Sequence, residues 1–579
     1  MTPPPTGSLI ERPIWFGPSD RPLCGWLTAP TNGLATQGVL LAPPIGRESR
    51  AGRKALRHAG REMARHDMVS LRFDYDGTGD SSGSLDDPGR DASWIDSVSY
   101  AAEFLRSLGV RTLSAAGMRL GATILGAAAD KHDLGLASLV LWDPCASGRN
   151  YLRELSALES LRRENVSIES DGSVETSEFV FPPQTVAEIR RLSLTTLERC
   201  PLADRLLVIT RDDRSIPDKL QERLSKEKVD WSSTSEQQAL IGVDPLHATL
   251  PETTIGELIE WLEEPSREAV PVQLPNEGRD AVVAGPPGAA PVRERFVEIG
   301  DQPLFGVVAE PVGVHTGPLI IFLNVSTDEH TGPSRLWVEL SRRWAALGLQ
   351  CVRFDLTGVG DSPMLAGERW AHIYDQDWLK DLGDAARALR PEGPSDSVYV
   401  GLCSGAFLAI EGGLSVHARG VCVINPPVGI DFLHGSYRLG ASRHSLVRAL
   451  GTQFKNIALR LRWVSVVLWR ACRVIMPTLF SVDVMSRLAH TNTNLLVLSS
   501  DEELSPYAQT DRFNRFFSLR LVAPKGYDVT FVPGLDHSML AAEGRARTVD
   551  LLERHVRDHY VETTAGGTSD HGAGDKERT

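Results

Sequence analysis

Short runs of consecutive apolar residues alternate along the chain with longer stretches in which apolar residues recur every three to four positions. Leu319-Ile-Ile-Phe-Leu-Asn324 is apolar almost throughout, the pattern of a strand covered on both faces. Leu336 to Leu347 instead sets Leu336, Leu340, Trp344 and Leu347 on one side of a helix. Cys351-Val-Arg-Phe predicts the next strand, Trp378 to Leu389 a helix, and Val398-Tyr-Val-Gly a strand entering a turn. Val421-Cys-Val-Ile-Asn and Leu495-Leu-Val-Leu-Ser add two buried strands, and Thr548 to Val556 a final helix. The same rhythm runs earlier through Gly38-Val-Leu-Leu-Ala, Val69-Ser-Leu-Arg-Phe, Ala137-Ser-Leu-Val-Leu-Trp and Leu206-Leu-Val-Ile-Thr. Strands alternating with helices predict an α/β class, a mostly parallel doubly wound sheet with helices on both faces.

The pattern also repeats itself. Arg72-Phe-Asp-Tyr-Asp-Gly-Thr-Gly-Asp-Ser81 returns as Arg353-Phe-Asp-Leu-Thr-Gly-Val-Gly-Asp-Ser362, 281 residues later. Gly117-Met-Arg-Leu-Gly-Ala122 returns as Gly401-Leu-Cys-Ser-Gly-Ala406, and Val243-Asp-Pro-Leu-His247 is answered by Pro533-Gly-Leu-Asp-His537. Three matches in one order at nearly constant spacing predict a duplicated domain. The copies span residues 1–265 and 294–562. Residues 266–293, rich in proline and glycine, read as a linker, and 563–579 as a disordered tail.

Two domains fit 579 residues, and 42% hydrophobic with 23% charged residues is ordinary globular composition. A net charge of −14 argues against a broad nucleic-acid-binding surface. The seven cysteines are scattered without a Cys-x-x-Cys pair, which fits a reduced, cytoplasmic setting and gives no metal-ligand spacing. No export signal is visible in Met1-Thr-Pro-Pro-Pro-Thr-Gly. The longest apolar stretch, Trp463 to Phe480, holds Arg470, Arg473 and Pro477, so no transmembrane segment is expected.

Candidate chemistry sits at the turn Val400-Gly-Leu-Cys-Ser-Gly-Ala406. A Gly-x-nucleophile-x-Gly turn needs its glycines because helix and strand pack closely around a strained central residue. Centring the motif on Ser404 would require glycine at 402 and 406, where Leu402 and Ala406 stand. The register therefore selects Cys403, a thiol at a helix N-terminus, where the dipole favours the thiolate. Cys351 and Cys422, in strands, read as inert core residues.

With the Asp355, Gly358, Gly360, Ser362 stretch ahead of this elbow, the chain resembles the α/β-hydrolase superfamily in both copies. More loosely, Gly332-Pro-Ser-Arg-Leu-Trp with Arg353-Phe-Asp-Leu-Thr-Gly-Val-Gly-Asp-Ser is similar to small bacterial hydrolases found beside exosortase and polysaccharide systems. The superfamily resemblance implies a lid inserted after the sixth strand, about residues 427–490 in the second copy. It also implies a triad in the order nucleophile, acid, histidine. Matched residue by residue, the histidine is His537 and the acid is Asp501, with Glu502 and Glu503 as rivals. The oxyanion hole would use the backbone N–H groups of Ser404 and Val325. The family's usual His-Gly at that second loop is absent.

The first copy puts Arg119 at the nucleophile position, and a permanently protonated guanidinium cannot attack a carbonyl. Asp213 and His247 keep the acid and histidine positions, so this site reads as degenerate, with Arg119 paired to Asp213 or binding an anion. In the second copy, Phe432 to Ser500 carries eight arginines and one lysine against one acid, Asp483. That basic segment suits a solvated lid helix, an acidic acyl-carrier protein or its phosphopantetheine arm, or peripheral contact with an anionic membrane. The expected activity is acyl transfer through a Cys403 thioester, by default hydrolysis of an ester or thioester. The alternatives are an acyltransferase serving carrier proteins and a non-catalytic scaffold. No cofactor is implied, since Gly358-Val-Gly360 is too short for a dinucleotide fingerprint.

Overall fold

The computed structural model describes residues 9–162, 172–176, 179–243, 247–264, 266–275, 278–286, 288–364, 378–426, 491, 493–500, 527–537, 539 and 542–561. The expected lid, 427–490, and the tail lie outside the described residues.

Two large sheets organise the chain. The first runs, in spatial order, Leu9–Phe16, Leu23–Pro30, Met68–Phe73, Gln37–Ala42, Leu113–Met118, Ser138–Trp142, Arg205–Arg211 and Val229–Thr234. The second runs Asp280–Val283, Val292–Ile299, Leu304–Pro311, Gln350–Phe354, Leu319–Phe322, Ser397–Leu402, Gly420–Ile424, Asn494–Ser499 and Tyr527–Phe531. Apart from Asp280–Val283, the two orders correspond strand for strand. In each, the leading strands pair antiparallel and the rest are parallel. The parallel strands read as unbroken apolar runs because both faces are covered.

Alternate side chains show the covering directly. Val39 and Leu41 pack with Ala55, Met63 and Leu258 of the helices Glu48–Arg65 and Glu252–Leu262. Leu40 and Ala42 pack on the opposite face with Trp94, Leu105 and Leu125 of Arg90–Ser107 and Leu120–Lys131. In the second sheet Ile320 and Phe322 meet Leu340 and Trp344, while Leu319 and Ile321 meet Trp378 and Ile410.

One expected helix changes. Trp378 to Leu389 is broken into Trp378–Asp381 and Asp384–Leu389. The Tyr399 hydroxyl donates to the Leu382 carbonyl at 2.9 Å, and the Asp381 carboxylate accepts the Thr357 N–H at 2.8 Å. Gly383 follows at the break, where helix propensity is lowest. The stretch 266–293, the expected linker, makes short strand pairs with both halves. Val270–Pro271 pairs with Leu34–Ala35, Asp280–Val283 pairs with Val292–Ile299, and Gly278 accepts the Trp15 N–H at 2.9 Å. Proline and glycine exclude a helix there, but leave enough N–H groups for edge pairing.

The halves meet through reciprocal contacts. Arg353 donates to Asp80 at 2.8 Å, and Arg72 donates to Asp361, the same two motif positions with the halves exchanged. Arg342 donates to the Asp80 carbonyl at 2.6 Å, and Arg57 to the Gly360 carbonyl at 2.6 Å. Trp15 stacks on Phe296 at 5.2 Å between centroids, so positions 281 apart touch each other. That is the pattern of a twofold-related interface.

Candidate active site

The strand Ser397–Leu402 runs into the helix Ser404–Val416 with one residue between them. Cys403 occupies that turn at φ 53°, ψ −119°, a strained conformation for a residue with a Cβ. The flanking glycines are enforced by contact. A Cβ on Gly401 would lie 2.0 Å from the Gly405 carbonyl oxygen, and one on Gly405 2.7 Å from that of Asn324. The turn is fixed from the next strand by the Cys403 N–H, which donates to the Ile424 carbonyl at 3.0 Å.

His537 arrives from the loop after Tyr527–Phe531, and its Nε2 lies 3.0 Å from the Cys403 sulfur. That distance allows proton exchange between thiol and imidazole. Asn425, unnoticed in the sequence, holds this loop. Its Nδ2 donates to the carbonyls of Asp536 at 2.8 Å and His537 at 3.0 Å, while its Oδ1 accepts the Ser500 N–H at 2.8 Å. It thereby ties the histidine loop to the strand end before the expected acid. Asp501, Glu502 and Glu503 lie outside the described residues.

The other wall is the loop after Leu319–Phe322. Val325 lines the same cavity as Cys403 and His537, and the Ser326 N–H donates to Ser404 Oγ at 2.6 Å. The Ser404 hydroxyl, the rival nucleophile, is buried and engaged by that loop. The cavity is about 360 Å³, and the first half builds part of it with Ile45, Arg47, Arg50 and Tyr75. Glu329 borders it too. Burial pushes its carboxyl up to about 7, against the pull of the Arg53 guanidinium. Cys351 and Cys422 are fully buried, and burial pushes the Cys422 thiol up to about 12, an inert setting.

Residues 320–551 match the model of the alpha/beta hydrolase family. No curated protein matches the chain. Among solved structures, Est1E from Butyrivibrio proteoclasticus is similar at 12% identity and a TM-score of 0.31, over 43% of this chain and 97% of its own. Proline iminopeptidase from Mycobacterium smegmatis is similar at 14% identity and a TM-score of 0.29, over 44% and 97%. XC6422 from Xanthomonas campestris, described as an a/b serine hydrolase without lid, is similar at 17% identity and a TM-score of 0.29, over 50% and 98%. Within the hydrolase-family segment lie Cys403, Ser404, Val325 and His537; the turn at 119 lies outside it.

That first-half turn copies the backbone of the elbow with different chemistry. Arg119 sits at φ 56°, ψ −123°, within a few degrees of Cys403. Its expected partner is corrected. Asp213 is half-exposed and pairs with Arg211. Arg119 is instead buried among Glu48 at 3.0 Å, Asp143 at 3.4 Å and Glu154. Arg214, next to Asp213, closes the cluster by pairing with Asp143 and Glu154. The site has become an ion cluster because a guanidinium offers five donors and needs several acceptors when buried. His247 is exposed. One trio among the described residues, Cys24, Asp74 and Asp80, brings its sulfur and carboxylate atoms within 4.8 Å of one another. Arg53 engages Asp74, and Arg353 and His330 engage Asp80.

Proposed function

We propose that the second half is a cysteine-nucleophile hydrolase of esters or thioesters, and that the first half is a non-catalytic duplicate of it. The observation that carries this reading is the 3.0 Å contact between the Cys403 sulfur and His537 Nε2 at a strained turn facing a cavity. His537 takes the thiol proton as the sulfur attacks the substrate carbonyl. The N–H groups of Ser404 and Val325 receive the charge that develops on its oxygen. Collapse breaks the bond to the leaving alcohol or thiol, which takes the proton from His537 and leaves a thioester on Cys403. Water, deprotonated by His537, then releases the acid and restores the thiol. An acid from 501–503 orients the imidazole and offsets its charge.

Intact mass after mixing the protein with short and medium acyl thioesters tests this. An acyl-sized mass gain is expected in the wild type and absent in Cys403→Ala, and it decays in buffer. Persistence until an amine, alcohol or carrier thiol is added would make the enzyme an acyltransferase. No gain, with Cys403 alkylated no faster than an ordinary thiol, would overturn the enzyme for a scaffold.

A further inference from the structure

The loop that carries Val325 is held from outside its own half. Three successive residues of it, Asp328, Glu329 and His330, are each paired with a residue of the first half. Asp328 pairs with Arg50. Glu329 Oε2 accepts from Arg53 Nη1 at 3.0 Å. His330 Nε2 lies 2.7 Å from Asp80 Oδ2. Arg50 and Arg53 are three apart on the helix Glu48–Arg65, hence on one face of it. Asp80 lies in the turn that returns as Asp361.

Inside its own half the loop is drawn into a closed shape. Asn324 Nδ2 donates to the Asp328 carbonyl at 2.8 Å, and the His330 N–H donates to Asp355 Oδ1 at 2.6 Å. Ser326 adopts φ 58° and is tied to Ser404 beside the nucleophile. Val325, Ser326, Asp328 and Glu329 all face the cavity that Cys403 and His537 enter. A donor aimed at a developing oxyanion works only within a narrow range of position, and a shift of about 1 Å can cost about a hundredfold in rate.

We infer that Arg50, Arg53 and Asp80 of the first half are positioning residues for the oxyanion hole of the second, acting through Asp328, Glu329 and His330 on the Val325 N–H. This rests on the reading of Cys403 as the acyl-accepting residue. A half whose own nucleophile position holds arginine thereby remains part of the active site.

The test compares two reactions of the same sulfur in the full-length protein. With p-nitrophenyl acetate, Cys403 attacks the carbonyl, the C–O bond breaks, p-nitrophenolate leaves and an acetyl thioester remains; an oxyanion forms on the way. With iodoacetamide, Cys403 displaces iodide and no oxyanion forms. Arg50→Gln and Arg53→Lys should each slow acetylation about tenfold or more while alkylation stays within about twofold of wild type. The swap Arg50→Asp with Asp328→Arg should recover most of the loss. Unchanged acetylation in both single variants would overturn the clamp, as would acetylation and alkylation falling together or a swap that recovers nothing. If wild-type Cys403 is alkylated but never acetylated, the acyl-enzyme reading itself fails and the inference falls with it.

Discussion

Arg119 is the residue whose role most depends on its neighbours. Burial raises the Glu48 carboxyl pKa and the Arg119 guanidinium opposes the rise, while at Glu154 the pull of Arg119 and Arg214 outweighs burial and lowers it. Replacing Arg119 with alanine takes away the guanidinium paired with Glu48 and leaves Arg214 to face Asp143 and Glu154. Arg119→Ala should cost about 3–5 kcal/mol in urea unfolding, and adding Glu48→Gln should restore part of that loss. The turn itself was legible in the sequence. Glycines two residues either side of Arg119 and Cys403 announced the conformation, and both residues adopt it to within a few degrees. The partners were not legible. Glu48, Asp143 and Glu154 stand 71, 24 and 35 residues from Arg119 and share no spacing rule with it. The acid position of the resembled triad suggested Asp213, but its carboxylate is held by Arg211 two residues away. Asn425 escaped notice for a similar reason: a lone asparagine after a strand carries no signal until the loop it binds is in place.

At the level of elements, the loop between Leu319–Phe322 and the helix Leu336–Ala345 depends on a buried histidine. His330 Nδ1 lies 2.9 Å from Asp355 and Nε2 2.7 Å from Asp80, so the ring bridges the halves. Burial alone would lower its pKa. The Asp355 and Asp80 carboxylates outweigh that and hold it well above the usual histidine range. A raised value in the fold means that the stabilisation is complete below the unfolded pKa, about 6.5, and is lost as pH rises through the folded one. Asp80 is shifted the other way, held low by His330 and Arg353 against burial, so its share is lost only in acid. The melting temperature of the wild type should therefore exceed that of His330→Gln most at about pH 6, with the gap closing toward alkaline pH. A gap independent of pH would mean the ring is held neutral. Element type was readable wherever the apolar period was long. Boundaries moved where a side chain took a backbone carbonyl out of its ladder, as Tyr399 does at Leu382.

Taken as a whole, the two halves share apolar core as well as ions. Trp15, Cys24 and Trp26 of the first half pack in the same cluster as Phe296, Phe305 and Phe322 of the second. A fragment spanning 294–562 would expose the surface these residues cover, where a buried aromatic side chain contributes about 3–5 kcal/mol. Expressed alone, it should be less soluble than the full chain and melt at a lower temperature, and co-expression with 1–293 should restore it. A fragment as stable as the parent would show the halves to be merely tethered. The repeat in the sequence announced two similar units, and the reciprocal arginine and aspartate of the shared motif were in plain view. What could not be seen was that each arginine serves the other half's aspartate, because a repeat gives no distance between its copies.

The short strands that flank Gly278 have a consequence for how this joint responds to its surroundings. Val270–Pro271 pairs with Leu34–Ala35 of the first half and Asp280–Val283 with Val292–Ile299 of the second, so only about eight residues separate the two anchored points. A contact of twofold pattern between separate chains loosens on dilution, because its partners must find each other again. Here the partner is supplied by the same molecule at a high and constant local concentration. The cavity walls contributed by both halves therefore stay together at any protein concentration, and their assembly is a first-order event.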